Sequence, residues 1–497
     1  MKKTVLTILA TFVFLLSVNS QNVDDALRYS QIFYSGTARF NAMGGAFTAL
    51  GGDLSSLSLN PAGVGVYRSF EFTITPMLLY DNVRTDFNNS RASDFNYKFN
   101  LNQIGIVANL ISKDNSSGLV NLNVGYSFVR TNNFNENITI RGIGENSSMA
   151  DYWTGQANST FYKNLTGSTG LAFDGYVIDT IAGSAGTSYA TPFSNYGQNA
   201  GSTYGQDVKR IINNEGYTGE HAFTVGANFS NKFYFGATLG INRIQYTGQY
   251  QHIEDNIVSN RADLKGFTYT DYLEAAGTGY ALKIGTIIKP VEFIRLGLAV
   301  HTPIVYRVHE YFFDNLTSLY GDGSSAKYSN DPLRYSYTLT TPFRILAGVA
   351  VQVKKLAILS ADYEFVDYSM AKFSRASDDY SYDNENQSIT TILKSASNIR
   401  LGAEFRLNNL YLRGGYGYYG KAFAPGNSVE QQPNRNLTYN SLSCGIGFRQ
   451  QSFFLDLAFT SLWSTQNYLM YFDPGYLSAT TFNTTKNSIV ATLGYRF

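Results

Sequence analysis

The chain has 497 residues and a formal net charge of +1; 15% of its residues are charged and 15% are aromatic. A near-neutral chain without basic blocks argues against a nucleic-acid partner. The single cysteine, Cys444, excludes an internal disulfide framework and a multi-cysteine metal site. Four histidines leave little material for a metal centre, so we expect no metal and no cofactor.

Residues 1–20 are organised as a secretory signal peptide. Lys2 and Lys3 precede a mostly apolar stretch, and Ser20 is a small residue suited to cleavage. The alternative is an N-terminal membrane anchor, which needs about 20 apolar residues and therefore more than this stretch offers. The sequence predicts export. No later run is apolar and long enough to predict a transmembrane helix.

Residues 21–67 form a segment in which polar and apolar residues do not alternate. It contains a glycine-rich run from Ala42 to Asp53 and a turn at Asn60-Pro61. No Gly-Lys-Ser/Thr motif accompanies the glycines, so a phosphate-binding loop is not indicated. Because glycine allows close backbone packing, we expect an internal plug. A periplasmic tail is the alternative.

Residues 68–497 alternate with a period of two, the pattern of strands with one apolar face. At the C-terminus Ile489, Leu493 and Phe497 share one face, whereas Ser488 and Thr492 share the other. The candidate strands have roughly 10–13 residues, which suits a tilted membrane crossing better than the usual five or six.

The connections between these strands alternate between short and long. Short joints fall at 112–117, 231–232, 289–291, 354–355, 408–409 and 450–451, and long polar stretches fall near 81–100, 131–219, 247–276, 304–334, 370–393, 420–437 and 464–485. This rhythm gives about 14 strands, an even number that returns the C-terminus to the periplasm. A sheet in hydrocarbon must close to pair its edges. The sequence therefore predicts an all-β, transmembrane antiparallel β-barrel of about 14 strands with an N-terminal plug and a long extracellular loop at about 131–219.

Two parts of the chain resemble a known family. The stretch from Gly45 to Leu50, followed by Asn60-Pro61-Ala62-Gly63, resembles the N-terminal hatch of the outer-membrane long-chain fatty acid transporters (the FadL/TodX group). The strand Leu412-Arg413-Gly414-Gly415-Tyr416 resembles their C-terminal third. The resemblance implies a monomer in the cell outer membrane of a Gram-negative bacterium, in contact with its lipid. This monomer would take up hydrophobic small molecules, either long-chain fatty acids or aromatic hydrocarbons, and would not be an enzyme.

The resemblance also implies a ligand-binding residue. Arg413 matches a lumenal arginine of the family, and a guanidinium binds a carboxylate with two hydrogen bonds. The alternative is a lumenal ion pair between Arg413 and either Glu404 or Asp362.

The same resemblance implies a hatch gate and an opening in the wall. Asn60, Pro61 and Ala62 would lie where the hatch blocks the pocket. In the family a kink in an early strand opens the wall. Pro76, which lacks an amide donor, and Gly125 are the candidate positions for this kink; a plain irregularity of the strand, without an opening, is the alternative for each.

The long polar stretches contain aromatic clusters suited to capturing an apolar ligand, Tyr311-Phe312-Phe313 and the run from Tyr468 to Phe472. Where these residues lie near strand ends, an aromatic girdle at the membrane interface is the alternative.

Two other classes of function remain open. A surface-binding protein, such as a haem receptor or adhesin, would use the loop at 131–219, and four histidines are candidate axial ligands: His221, His252, His301 and His309. A barrel enzyme is the second class, but no motif presents a nucleophile beside these histidines.

Overall fold

The structure is a computed structural model that describes residues 23–113, 117–144, 147–191, 206–255, 264–377, 380–426, 433–471 and 479–497. The predicted signal peptide and Phe472 lie outside these residues. Within the described ranges, none of the helices has the length and apolar character needed to cross a membrane.

The described chain is dominated by long strands. They are β1 (Glu71–Phe87), β2 (Ser90–Ser112), β3 (Leu119–Asn133), β4 (Glu136–Ile143), β5 (Asp179–Thr180), β6 (Tyr189–Ala190), β7 (Asp207–Phe229), β8 (Phe233–Asp255), β9 (Leu264–Val291), β10 (Ile294–His301), β11 (Val305–Tyr320), β12 (Ser325–Ser329), β13 (Leu333–Thr340), β14 (Arg344–Val353), β15 (Ala357–Asp367), β16 (Lys372–Ser374), β17 (Ser395–Leu407), β18 (Leu410–Tyr419), β19 (Tyr439–Gln450), β20 (Phe453–Tyr468) and β21 (Thr480–Arg496).

Fourteen of these strands form a closed antiparallel barrel in the order β1, β2, β3, β7, β8, β9, β10, β14, β15, β17, β18, β19, β20 and β21. The barrel closes between its first and last strands, which pair from Glu71↔Arg496 to Asp86↔Thr481. The predicted fold class and strand number are therefore confirmed. The remaining strands lie mostly at the end of the barrel opposite the short turns.

The outer surface of the barrel is an apolar belt. On β21, Ile489 and Leu493 are 54% and 45% exposed, whereas Val490 and Thr492 between them are fully buried. The same alternation places Leu442 and Ile446 of β19 outside. An apolar exterior on a closed barrel is the surface that lipid requires, so the barrel spans a membrane.

Several predicted long loops are instead continued strands. The stretch predicted as a loop at 81–100 is a hairpin of β1 and β2 with its turn at Asn88-Asn89, and 247–276 consists largely of β8 and β9. The connection predicted at 131–219 is shorter, because β3 extends to Asn133 and β7 begins at Asp207. A change to polar composition marks the point where a strand leaves the lipid, not the point where pairing ends.

Helices occur inside the barrel and at its outer end. They are α1 (Val23–Ser30), α2 (Ala38–Ala42), α3 (Ser56–Leu59), α4 (Met149–Ala157), α5 (Gly167–Asp174), α6 (Asp383–Ile392) and the 3-10 helices Pro61–Val66, Tyr162–Asn164 and Tyr368–Met370. The segment 37–66 is almost wholly buried within the barrel, which confirms the predicted plug. We call residues 23–67 the hatch.

Candidate functional site

The hatch packs against the backbone of the barrel wall, because glycines on nine of the barrel strands face it. A Cβ at Gly285 would overlap Asn60 Oδ1, and one at Gly236 would overlap the backbone of Pro61. Bulkier residues would hold the hatch away from the strands, so the glycines let it fill this half of the lumen. The nine are Gly125, Gly226, Gly236, Gly285, Gly297, Gly348, Gly402, Gly415 and Gly445.

Buried ion pairs attach the hatch to the wall at a first point. Arg39 of α2 donates from Nε and Nη2 to the two oxygens of Glu404, at 2.8 and 3.0 Å. Glu404 also accepts from Nε of Arg413 at 2.7 Å, and Arg413 Nη1 donates to Asp456 at 2.6 Å.

These contacts bear on the ligand contact predicted for Arg413. Its guanidinium is shared between two carboxylates, and it is not among the residues that line the cavity described below. The structure therefore favours the alternative, an ion pair with Glu404, and Asp362 lies in a different network. Arg413 faces the lumen, as the alternation predicts, but lies beside the hatch and outside the cavity lining, and its contact with a ligand stays a prediction.

A second set of polar contacts holds the next part of the hatch. The backbone N–H and Oγ1 of Thr48 donate to Asp362 Oδ2 at 2.8 and 2.7 Å. In the same network, Glu364 accepts from Arg344 and Arg400 at 2.6 and 2.8 Å. All of these charged side chains are buried.

The three predicted gate residues form a third attachment. Asn60 Nδ2 donates to the carbonyl oxygens of Thr48 and Thr286, at 2.6 and 3.2 Å, while its Oδ1 accepts from the Ala62 N–H at 3.1 Å. Pro61 opens the 3-10 helix that follows. The three residues lie against β8 and β9, away from the cavity, and their gating role stays a prediction.

Above the hatch the lumen contains a cavity of about 670 Å³. Asn41, Gly44 and Gly45 of the hatch border it on one side, and α1 contributes residues from Asp24 to Arg28. Eleven of the described residues that line it are aromatic, among them Phe33, Phe134, Tyr246, Tyr250, Phe312 and Tyr439. This volume lies within the range of small-molecule sites, about 300–1,000 Å³.

Charged side chains are interspersed among these rings. They are Asp24, Asp25, Arg28, Arg130, Glu136, Asp271 and Lys486. Burial raises the pKa of Asp271, which lies above the apolar belt on β9, to about 7. Its carboxyl group therefore titrates near neutral pH.

In the wall beside this cavity, the pairing of β2 with both of its neighbouring strands is interrupted. We call this interruption the seam. The β1–β2 register shifts between Thr75 and Pro76, where the sequence places an irregularity, and Asn102 is the extra residue on β2. The β2–β3 ladder ends next to it, at Gln103↔Val129. Through Gly125, in contrast, β3 pairs in register, and this glycine instead makes room for Leu57 of the hatch.

One side chain bridges the seam where the ladder ends. Arg130 Nε donates to the Leu101 carbonyl oxygen at 3.0 Å, and its guanidinium lies 3.9 Å from the centre of the Tyr217 ring. Both Asn102 and Arg130 line the cavity, so the cavity extends to the seam. The backbone pairing of the cavity wall is therefore interrupted at the seam.

An outer layer packs on strands that also form the upper cavity wall. Ile138, Ile212 and Phe482 line the cavity and also belong to the apolar cluster that buries Trp153 of α4. The N-terminus of α4 is anchored by one carboxylate: Glu254 accepts from the Ser148 hydroxyl (2.5 Å), the Met149 N–H (2.7 Å) and His252 Nε2 (2.7 Å).

The aromatic clusters predicted to capture ligand divide between two surfaces. Phe312, Tyr468 and Leu469 line the cavity. Tyr311 and Phe313 instead contact the ring of Tyr272, on the opposite face of β11.

The four histidines have protein partners, and no metal-binding group forms from the described His, Cys, Asp and Glu residues. His301 Nε2 lies 2.8 Å from the Leu59 carbonyl oxygen, and His252 lies between Arg210 and Glu254. His221 contacts the Tyr126 hydroxyl and His309 contacts Ser336. These contacts give the haem-receptor alternative no support.

Sequence reasoning missed most of the cavity. Lys486 carried a signal, since it shares the inward parity of Ser488 and Thr492 on β21. Phe33 and Tyr34 carried none, because their segment has no periodicity and only its fold inside the barrel places them at the cavity.

Comparisons with known proteins agree with this architecture. Neither a family model nor a curated protein sequence matches the chain. Its fold is similar to that of the P. putida toluene transporter TodX, with a TM-score of 0.52 at 12% identity over 94% of this chain and 99% of that one. It is also similar to a Pseudomonas aeruginosa FadL homologue, with a TM-score of 0.54 at 12% identity over 94% and 100% of the two chains. The chain therefore has the plugged-barrel fold that its resemblance to the FadL/TodX group implied.

Proposed function

We propose that the protein is an outer-membrane transporter that takes up hydrophobic molecules. The observation that carries the proposal is an aromatic cavity of about 670 Å³ directly above the hatch of a lipid-facing barrel. An apolar solute gains roughly 25 cal/mol for each Å² of surface that it buries there. TodX is named as a toluene transporter, which supports the same class of cargo.

This function requires an exit from the cavity, and we consider two. A ligand leaves either through the hatch to the periplasm or past the edge of the hatch and sideways through the seam. The hatch route breaks the buried Arg39–Glu404 and Thr48–Asp362 contacts, whereas the seam is bridged by the Arg130 hydrogen bond and the exposed ion pair Lys98–Glu215. Breaking a buried ion pair costs about 3–5 kcal/mol, so the contacts support release through the seam.

The test fills the cavity with tryptophan side chains and measures the uptake of an apolar ligand. In a strain that lacks the protein, we expect the intact chain to restore uptake of toluene or of labelled lauric acid. Ile138→Trp and Ile212→Trp, which project a large ring from the cavity wall, should lower uptake at least tenfold. Ile143→Trp is the matched control, since Ile143 lies on the same short strand as Ile138 but is 40% exposed.

Folding of each variant is checked by its heat-dependent shift on gel electrophoresis. Uptake that is unchanged in a folded, filled variant would reject the proposal. The absence of enzymatic activity and of a cofactor, and the monomeric state, stay predictions.

A further inference from the structure

The cavity carries more acidic than basic groups. Four carboxyl groups and three cations line it, so its formal charge is negative by one while Asp271 is ionised. A carboxylate ligand would add another negative charge. The electrostatic balance therefore favours a ligand that brings a positive charge.

Each of the three cations already has a protein partner. Arg28 pairs with Asp25 and lies 4.5 Å from the centre of the Tyr246 ring. Arg130 bridges the seam. Lys486 Nζ lies 4.0 Å from Glu136 Oε1. A fatty-acid carboxylate in this cavity would compete with these contacts.

The carboxylates, in contrast, are in excess beside Lys486. Asp81 lies directly opposite Lys486 in the β1–β21 register and is 2% exposed. Neither of its carboxylate oxygens has a hydrogen-bond partner among the described residues. Asp81 itself is not among the lining residues, but Leu79, two residues before it on the same inward face, lines the cavity, as do Glu136 and Lys486. Two carboxylates thus share a single ammonium in this corner.

The aromatic walls complete a cation site. Ring faces attract cations, and the rings of this cavity already do so with protein groups: Arg28 lies against Tyr246, and Arg210 lies 4.9 Å from the centre of the Tyr250 ring. A second ammonium beside Asp81 and Glu136 would balance the charge of the corner, while its apolar body would lie against the aromatic wall.

We propose that the cavity selects a cationic amphiphile, an alkyl or aromatic amine, whose ammonium group sits beside Glu136 and Lys486, with the carboxylate of Asp81 directly behind the lining. This assignment rests on the proposed function and names its substrate class. It differs from the fatty acids and neutral hydrocarbons that the family resemblance implies.

The test compares three ligands of equal chain length on the protein in lipid nanodiscs: dodecylamine, dodecanol and lauric acid. Binding is measured by calorimetry against empty nanodiscs. We expect dodecylamine to bind at least tenfold more tightly than lauric acid. Asp81→Asn and Glu136→Gln should each weaken dodecylamine about tenfold and leave dodecanol unchanged.

Two further variants separate a site from a structural effect. Lys486→Met removes the competing ammonium, so it should strengthen dodecylamine binding, a gain that a merely damaged barrel would not show. Asp86→Asn, on the same strand but paired with Arg91 at the exposed end of the hairpin, should change nothing.

The outcomes distinguish this inference from the proposed function. Lauric acid binding as tightly as dodecylamine, or amine binding that is indifferent to both Asp81→Asn and Glu136→Gln, would overturn the inference and leave the transporter intact. If none of the three ligands bound more than it does to the Ile138→Trp protein, the proposed function itself would fail.

Discussion

The two halves of the lumen differ in how tightly they are packed and in how completely their charged groups are paired. In the hatch half, glycines bring backbone against backbone, and Arg39, Glu404 and Arg413 share hydrogen bonds within one buried network. In the cavity half, aromatic rings enclose open volume, and Asp81 is left without a hydrogen bond among the residues described. The first arrangement keeps the bore shut, and the second leaves both space and charge for a ligand.

The largest expected effect comes from removing the charge of Glu404 in the hatch half of the lumen. Glu404→Gln leaves the guanidinium groups of Arg39 and Arg413 short of a counter-charge, so we expect a loss of about 3–5 kcal/mol in the stability of the hatch attachment. The measurement is protease access to the hatch in detergent, together with the thermal unfolding temperature.

Glu292→Gln, at an exposed turn, is the control for this loss of a carboxylate. Equal protection of the hatch in the two variants would show that the ion pairs do not hold it.

A somewhat smaller effect is expected above the cavity, at the anchor of α4. Glu254→Gln removes the charge that Ser148, Met149 and His252 contact, and hydrogen bonds to charged groups contribute about 1.5–3 kcal/mol. We expect the outer layer to loosen and Trp153 to move towards water, measured as a red shift of its emission in a Trp463→Phe background.

Glu274→Gln, an exposed carboxylate on β9, should leave that emission unchanged. Identical spectra for the two variants would contradict an anchoring role for Glu254.

The close approach of hatch and wall can be tested with a single methyl group. Gly285→Ala places a Cβ against the Asn60 side chain, and overpacking of this kind costs about 1–3 kcal/mol. We expect a displaced hatch, measured as higher ion conductance across a planar bilayer.

Gly414→Ala is the control, since the nearest atom to its Cβ would be the Ser443 carbonyl oxygen at 4.0 Å. If both variants conducted equally little, the glycines would not be needed for the seal.

The smallest expected effect is a pH dependence of ligand binding in the cavity half of the lumen. The Asp271 carboxyl, with its pKa raised by burial to about 7, is charged above that pH and neutral below it. Dodecylamine binding should therefore weaken a few-fold as the pH falls from 8 to 6. The groups that influence Asp271 are Tyr250, Asp314, Arg210 and Asp25.

Asp271→Asn should remove this part of the pH dependence. A slope that persists unchanged in the variant would assign the titration to another group.

The strands of the barrel wall can be predicted from the sequence more completely than the contacts at the site. Alternation and short turns predicted the fourteen strands, because each strand buries one face locally and needs no knowledge of its neighbours. The polar composition at the ends of β8 and β9 predicts loops, whereas these ends pair with each other as strands outside the lipid. The alternation predicts the inward face of Arg413, and the ion-pair alternative names Glu404, but it does not name the second partner, Asp456.

Periodicity, turn spacing and a segment rich in small residues are enough to predict the closed barrel, its parity and the plug. The position of the cavity and the charges that meet in it follow only from the folded chain. Asp81, Glu136 and Lys486 are far apart in the chain, and β1, β4 and β21 approach one another only when the barrel closes. Contacts between strands that are distant in the sequence leave no pattern in the sequence of either strand. The lining of the cavity depends on such contacts.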